Sequence, residues 1–465
     1  IHDVNRAAGR NGMGAVMGSK NLKAVAVRGF KKPPIMVRAR MQKIADWFLQ
    51  VYRDLCSWAA VGRGTQDLLM YLGYIGGLPT HNFRLPEFNE YGLLSGERNY
   101  AMYFKKRGTC QACPINCKQV FINDADNERH RLDPRYGGAE YEAMAALGAC
   151  CGVADNLAVL KANEMCNKFG LDAISTGMSI AFVMECFEQG LLNSGDTGGL
   201  AFRWGDAERL VESVEMIAMR QGFGDVMAEG VARMSARFGP ATAPLNLTVK
   251  GQELPMHEPR LKHLLGLGYA VAPVGADHEM NVHDTEYVGD GPALQRVNTA
   301  LESKVGPVSN TVINEDKLQI FFHELNWKHF QDCAVSCHFY PYSYHHMAEA
   351  LSGVTGIEYV IQDILEVVHS HSELRGDLFV GGGTHQPVLQ PSDGRLHLAR
   401  PTPHRPRHPV EFAQAVVHSA TDAGHGERLE LDATLRIESL DRVDQAEHAR
   451  ADEVARVDAR REARA

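Results

Sequence analysis

Residues 156–192 read NLAVLKANEMCNKFGLDAISTGMSIAFVMECFEQGLL. Apolar residues recur at helical spacing over 156–169, Gly170 supplies the stop, and a second helical pattern fills 171–192. Similar patterns cover 140–151, 205–220 and 223–237 before this rhythm breaks, and 313–327 and 344–352 after it. The break is LNLTVKGQELPMHEPR (245–260), which reads as a strand followed by a Pro-rich turn and sets a domain boundary near 246. The predicted fold is therefore mainly α. At the N-terminus, a glycine-rich loop leads into an apolar, strand-like stretch at 23–29 that KKPP stops.

With 465 residues, the chain is too long for one ordinary core. Its 45% apolar and 23% charged residues fit a soluble globular protein, and a net charge of −9 argues against a nucleic-acid partner. No stretch has the roughly twenty apolar residues that a membrane span needs, and the expected compartment is the cytoplasm. Composition changes after Val367: residues 368–465 hold no Lys, Cys, Met, Trp, Tyr or Asn, and Arg, His, Ala and Asp abound. Such a tail reads as disordered, or as out-of-frame translation of a GC-rich gene.

GTCQACPINCKQV (108–120) places Cys110, Cys113 and Cys117 in a C-x2-C-x3-C pattern. Ten cysteines with clustered spacing suit metal ligation better than a disulfide frame. A structural zinc site usually pairs two C-x2-C knuckles, and no second one exists, so three plus one distant ligand points to a cubane [4Fe–4S] cluster. Candidates for the fourth ligand are Cys56, Cys150, Cys151, Cys166, Cys186, Cys333 and Cys337. Cys150, Cys166 and Cys186 lie on apolar helical faces, where a free cysteine is usually a small buried hydrophobe. QDCAVSCHFYPYS (331–343) differs, because its cysteines neighbour Asp332 and His338 in a turn-like segment; spacing alone leaves Cys333 and Cys337 both open.

GRNGMGAVMGSK (9–20) lacks the G-K-[ST] of a phosphate loop and is expected to precede a strand instead of a helix. Its backbone N–H groups, flanked by Arg6 and Arg10, suit an anionic cofactor.

RAAGRNGMGAVMGSKNLKAVAVRG (6–29), CQACPINC (110–117), GGAEYEAMAALG (137–148) and KGQELPMHEPRLKHLLGLGYAVAPVGADHEMNVHD (250–284) stand in one order with the helical stretch quoted first. Together they resemble the aldehyde ferredoxin oxidoreductase family over about residues 1–366. The resemblance implies a tungsten (or molybdenum) bis-pterin, Mg2+ bridging the pterin phosphates, and a [4Fe–4S] cluster. It also implies a β-rich pterin-binding domain of which residues 1–30 are a remnant, the chain being N-terminally truncated. The remaining parts are then a helical domain at 31–245 with the clustered cysteines, a helical domain at 246–366 with the fourth ligand, and the tail 367–465.

Carried over by resemblance, the cluster ligands are Cys110, Cys113, Cys117 and Cys337. Cys337 ends DCAVSC, which stands for the family's D-x-x-G-L-C and places Asp332 and Ser336 near the pterin. Val335 and Ser336 replace its Gly and Leu. The sister pattern D-x-x-G-L-D reads NKFGLD, giving Asn167, Gly170, Leu171 and Asp172, with an uncharged Asn for the first Asp. Arg6, Ala8, Gly9 and Arg10 resemble the loop near the pterin phosphates. A homodimer is a family trait, but the 156–169 helix carries no E-x-x-H pattern, so the dimer-bridging iron site is not expected.

For catalysis the resemblance favours Glu142, with Glu140 second, although acidic residues at a helix start are favoured by the dipole alone. His278 is implied as carbonyl donor or proton relay, and His283 is a further candidate. The implied reaction oxidises a small-molecule aldehyde to a carboxylic acid and passes electrons to ferredoxin or another electron-transfer subunit. The same blocks also resemble the active-site subunit of class II benzoyl-CoA reductases, which would make an aromatic acyl-CoA ring the substrate. A third reading, of another class, is an inactive fragment that binds an iron–sulfur cluster.

Overall fold

Asp155 and Asp172 each start a helix by accepting a backbone hydrogen bond, from Ala158 N and Ile174 N, both at 3.1 Å. Between them, Gly170 adopts φ 71° and ends the first helix in the left-handed conformation that favours glycine. These caps delimit two central helices of the computed structural model, in which residues 2–30, 34–56, 62–123, 130–301 and 304–366 are described. All of them fall in one compact unit, Ile1–Ser419; the second unit, Ala420–Ala465, and the tail expected at 367–465 lie outside the described residues.

In chain order the helices are α1 (Met13–Ser19), α2 (Arg38–Leu55), α3 (Leu68–Tyr74), α4 (Gly96–Tyr103), α5 (Tyr141–Leu147), α6 (Asn156–Phe169) and α7 (Ala173–Glu188). They continue with α8 (Ala207–Met219), α9 (Gly224–Met227), α10 (Val231–Phe238), α11 (His263–Val271), α12 (Pro292–Ala300), α13 (Glu315–Cys333) and α14 (Tyr344–Thr355). The strands form three antiparallel pairs: β1 (His2–Asp3) with β2 (Arg6–Ala7), β3 (Phe104–Gly108) with β4 (Lys118–Phe121), and β5 (Thr248–Val249) with β6 (Gln252–Glu253). The architecture is mainly α, as the helical patterns predict.

α5 and α7 form the centre, packed on each other and flanked by α6 and α8. Their approach depends on Gly177: a Cβ there would stand 2.5 Å from the Ala146 carbonyl oxygen. The main core extends from Leu69 to Ala276 and takes in Cys150, Cys151, Cys166 and Cys186. A second core joins α11, α12 and α13 through Leu264, Val282, Tyr287, Leu294 and Phe321. We propose a domain division near residue 246. The main core draws Leu254, Met256, Leu265 and Tyr269 from beyond that point, so the 254–276 segment acts as the seam.

One buried charge pair organises this seam. Asp284 accepts from Leu264 N and Leu265 N, both at 3.0 Å, capping the start of α11, and it also pairs with Lys317 on α13. Both side chains are fully buried. Removing one partner strands a buried charge, so Asp284→Ala is expected to cost about 3–5 kcal/mol, read from the denaturant midpoint.

Several local expectations need correction. Residues 23–29 form no strand: nothing among the described residues pairs with them, and Val25 and Val27 are exposed, whereas a strand persists only against a partner. Most of the glycine-rich stretch 9–20 is itself helix α1, and no strand follows it, so its order of elements does not separate it from a phosphate loop; the missing G-K-[ST] still does. The single helix expected at 223–237 is two, α9 and α10, because Gly230 (φ 84°, ψ 168°) leaves the helical region between them. The helix expected at 313–327 runs on to Cys333, so that residue ends a helix and is not part of the turn.

Candidate functional site

The cysteine trio is the loop of a hairpin. Strands β3 and β4 pair up to Gly108 opposite Lys118, and the chain between them carries Cys110, Cys113 and Cys117. Arg107 fixes the loop by donating to the carbonyls of Asn116 (3.0 Å) and Ile115 (2.8 Å), and Thr109 Oγ1 donates to Cys113 O at 2.6 Å. Cys113 and Cys117 rest on a small apolar cluster with Phe48, Cys56, Ile115 and Tyr340.

The turn after α13 brings Cys337 to this loop. Burial pushes the Cys117 thiol up to about 12, and the charges of Glu140, Cys337 and Cys110 add to the effect while Lys118 opposes it. Cys337 is pushed up by desolvation of its inner side and by Cys113 and Cys110. Four thiols brought into one electrostatic neighbourhood are a donor set suited to a cationic iron–sulfur core, which holds its ligands as thiolates. Cys150, Cys166 and Cys186 are pushed to about 12 by burial, and Cys151 is raised well above its ordinary value; all four belong to the main core. Cys333 is exposed at the end of α13.

The turn itself is strained. Val335 occupies the left-handed region at φ 55° with its side chain 92% exposed, so the branched side chain gains no packing in return. Val335→Gly is expected to raise stability by about 1 kcal/mol, since relief of the left-handed penalty exceeds the entropy cost of glycine. A thermal melt of the two proteins checks this.

A second feature is a cavity of about 830 Å³ lined by Arg6, Ala8, Gly9, Arg10, Asn167, Gly170, Leu171 and Asp172, and also by Lys250, Gln252 and Glu253. Arg10 Nε pairs with Asp172 Oδ2 at 3.1 Å, and its other nitrogens donate to Ala276 O (3.0 Å) and Glu253 O (2.7 Å). Arg6 Nη2 donates to Thr109 O at 2.7 Å, tying the glycine loop to the residue before Cys110. A Cβ at Gly9 or Gly12 would meet nothing within 4 Å, so the backbone is open to an approaching ligand. Volume, open glycine backbone and basic residues fit a large anionic cofactor such as a pterin. Asp332 and Ser336 do not line this cavity. They belong to the Cys337 turn, where Asp332 Oδ1 lies 3.1 Å from His338 Nε2 and the Ser336 hydroxyl is buried without a hydrogen-bond partner.

The third feature is a buried acid–base pocket. Glu142, in the first turn of α5, is held by Met256 N donating to its Oε2 at 2.8 Å. Its Oε1 lies 3.0 Å from His257 Nε2 and 3.6 Å from His278 Nε2. His278 Nε2 is also 3.2 Å from Glu279 Oε1, and its Nδ1 is buried with no hydrogen-bond partner. Burial disfavours the His278 charge, but Glu142 and Glu279 outweigh it and its pKa is raised. His257 is lowered well below its ordinary value by burial and then by Lys262 and His278. His283 approaches the pocket from behind, its ring 4.5 Å from that of His257. Glu140 points elsewhere, to Thr65 and to Lys118 Nζ (3.4 Å), because it is the N-cap residue and lies outside the helical turn that aims Glu142.

The three features meet around residues 276–279. Arg10 and Gln252 both donate to Ala276 O from the cavity side, and Glu279 Oε2 lies 3.4 Å from Nδ1 of His338, the neighbour of Cys337. His257, Lys262, Gln252, Glu253 and Glu279 were not singled out by sequence reasoning. The only sequence signal for the first two is their place in PMHEPRLKH (255–263).

Residues 44–374 match the family described as aldehyde ferredoxin oxidoreductase, domains 2 and 3, and residues 1–29 match the N-terminal domain of that family. The chain belongs to the aldehyde ferredoxin oxidoreductase family. The tungsten-containing aldehyde ferredoxin oxidoreductase of Pyrococcus furiosus is 39% identical over 287 residues, covering 60% of this chain and 46% of the relative. The namesake enzyme of Thermococcus kodakarensis is 38% identical over 287 residues, with the same two coverages of 60% and 46%. This member of the family thus spans just under half the length of the curated relatives it matches. Among solved structures, the active site complex BamBC of benzoyl coenzyme A reductase superposes with a TM-score of 0.60 at 17% identity, covering 80% of this chain and 61% of that one, a likeness of fold. The family supports an oxidoreductase role. No helix among the described residues is long and apolar enough to cross a membrane.

Proposed function

We propose that the protein of which this chain is part oxidises aldehydes to carboxylic acids, using a tungstopterin at the Arg6–Arg10 and Asn167–Asp172 cavity and a [4Fe–4S] cluster on Cys110, Cys113, Cys117 and Cys337. The observation that carries the reading is His278. Its Nε2 faces two carboxylates, which favours the imidazolium, while its Nδ1 is buried and unpartnered. A buried N–H without an acceptor is costly, and a substrate carbonyl oxygen placed there would satisfy it and be polarised by it.

Glu142 has one oxygen committed to Met256 N, leaving Oε1 to hold the proton released when a water-derived oxygen adds to the carbonyl carbon. The Nε2 of His257, whose pKa burial lowers, stands 3.0 Å from that oxygen, which makes no hydrogen bond of its own. The bound tungsten centre would supply the oxygen-transfer and two-electron chemistry, with the cluster as the one-electron exit to ferredoxin. Glu279 and His338 form a polar link between His278 and the cluster turn, and Arg10 anchors the carbonyl of Ala276, so the acid–base group is fixed relative to both cofactor sites. A cytoplasmic, ferredoxin-linked role is part of the same proposal.

The test is anaerobic reduction of ferredoxin or a viologen dye by aldehydes, with protein produced in a host that makes tungstopterin. Aldehyde-dependent reduction supports the reading. Reduction of an aryl-CoA ring without aldehyde activity would transfer it to the benzoyl-CoA reductase branch, and an iron–sulfur spectrum that aldehydes do not bleach would reduce it to a cluster-binding fragment.

A further inference from the structure

Behind the acid–base pocket lies a fully enclosed lysine. Lys262 is 2% exposed, and its Nζ stands 3.0 Å from His257 Nδ1 and 3.2 Å from His283 Nδ1. We propose that Lys262 is a positioning residue: by donating to Nδ1 of both imidazoles it fixes each as the Nε2–H tautomer, and it thereby withholds the Glu142–His257–His278 trio from divalent cations.

The tautomer of His283 follows from its other nitrogen. Its Nε2 lies 3.2 Å from His278 O, and a carbonyl oxygen can only accept, so Nε2 carries the proton and Nδ1 the lone pair. Lys262 must then be the donor to His283. An ammonium has three donors and no acceptor, so the same group donates to His257 as well, and the His257 proton is placed on Nε2, facing Glu142 Oε1. Burial lowers Lys262 to about 8, which leaves it mostly an ammonium at neutral pH.

The consequence concerns metals. Ligand atoms of Glu142, His257 and His278 all lie within 4.8 Å of one another, and two histidines with one carboxylate are a common set for a first-row divalent ion. A metal-bound histidine normally donates its second ring N–H to a carboxylate or carbonyl. Here the second nitrogen of His257 meets a cationic donor, the opposite of that arrangement. A cation could bind His257 Nε2 only if its proton moved to Nδ1, against the ammonium. Lys262 thus keeps the trio available for proton transfer. The argument rests on pocket geometry and holds whatever the substrate.

Two measurements test it on the full chain. Nitrogen-15 NMR of the histidines, assigned with His257→Phe and His283→Phe, is expected to show a protonated Nε2 and a bare Nδ1 for both residues at neutral pH. A protonated Nδ1 on either would overturn the proposal. In a Co2+ titration, Lys262→Met is expected to gain a site without thiolate charge-transfer absorbance, binding about 10- to 100-fold more tightly than in the wild type. The gain should vanish in Lys262→Met/His257→Phe. Equal affinity in wild type and Lys262→Met, or a gain that survives in the double variant, would contradict the proposal. If Lys262→Met does not fold, the NMR of the wild-type protein decides. Neither readout involves aldehyde turnover, so failure here and failure of the proposed reaction are told apart.

Discussion

Cys337→Ser is expected to lower the iron bound per chain and to abolish the EPR signal of the proposed reduced cluster, whereas Cys333→Ser is expected to leave that signal in place. The two residues lie four positions apart and both are exposed, yet the turn after α13 separates them: Cys337 adds to the electrostatic field of Cys110, Cys113 and Cys117, and Cys333 is the last residue of the helix. Serine offers a hard oxygen where the cluster requires a soft thiolate, and three remaining ligands leave an iron exposed. Iron assay and low-temperature EPR on both variants check the expectation, and equal loss in both would mean that the turn rearranges to use Cys333.

Glu142→Gln is expected to lower aldehyde turnover by about 10²- to 10⁴-fold, the range for losing a positioned acid–base group. The amide still fills the space and can accept from Met256 N, so the fold should be retained. Glu140→Gln should have a much smaller effect, because that side chain faces Thr65 and Lys118. A second signature follows from His278. Its pKa is raised because Glu142 and Glu279 outweigh burial, so turnover that needs the imidazolium is present at low pH and falls as pH rises through that pKa. Removing the Glu142 charge lowers the His278 pKa and moves this alkaline limb to lower pH. Residual activity in Glu142→Gln with the limb unmoved would show that the two side chains do not communicate as the 3.6 Å contact implies.

Local chemistry made the central helices legible. Apolar spacing and the Gly170 stop placed α6 and α7 from sequence, and the Asp155 and Asp172 caps that fix their first residues act within one helical turn. Residues 23–29 misled because a strand is a property of a pair, and strand-like residues do not bring a partner with them. The cysteine hairpin was visible as a motif, but the turn that distinguishes Cys337 from Cys333 is set by where α13 ends. The resemblance ranks Glu142 above Glu140, but the physical difference, the N-cap position that turns Glu140 toward Thr65, is visible only in the structure. His257 and Lys262 stayed unassigned because their meaning depends on convergence with Glu142, His278 and His283 from two other segments. No periodicity encodes such a meeting.

The most direct test of the account is elemental analysis of the purified chain, made anaerobically in a host that supplies tungstopterin. The account predicts about four Fe per chain, from the four-cysteine site, together with about one W or Mo. About one Zn and no Fe would contradict it, since the cysteines would then form a single-ion site and the proposed one-electron exit to ferredoxin would be missing.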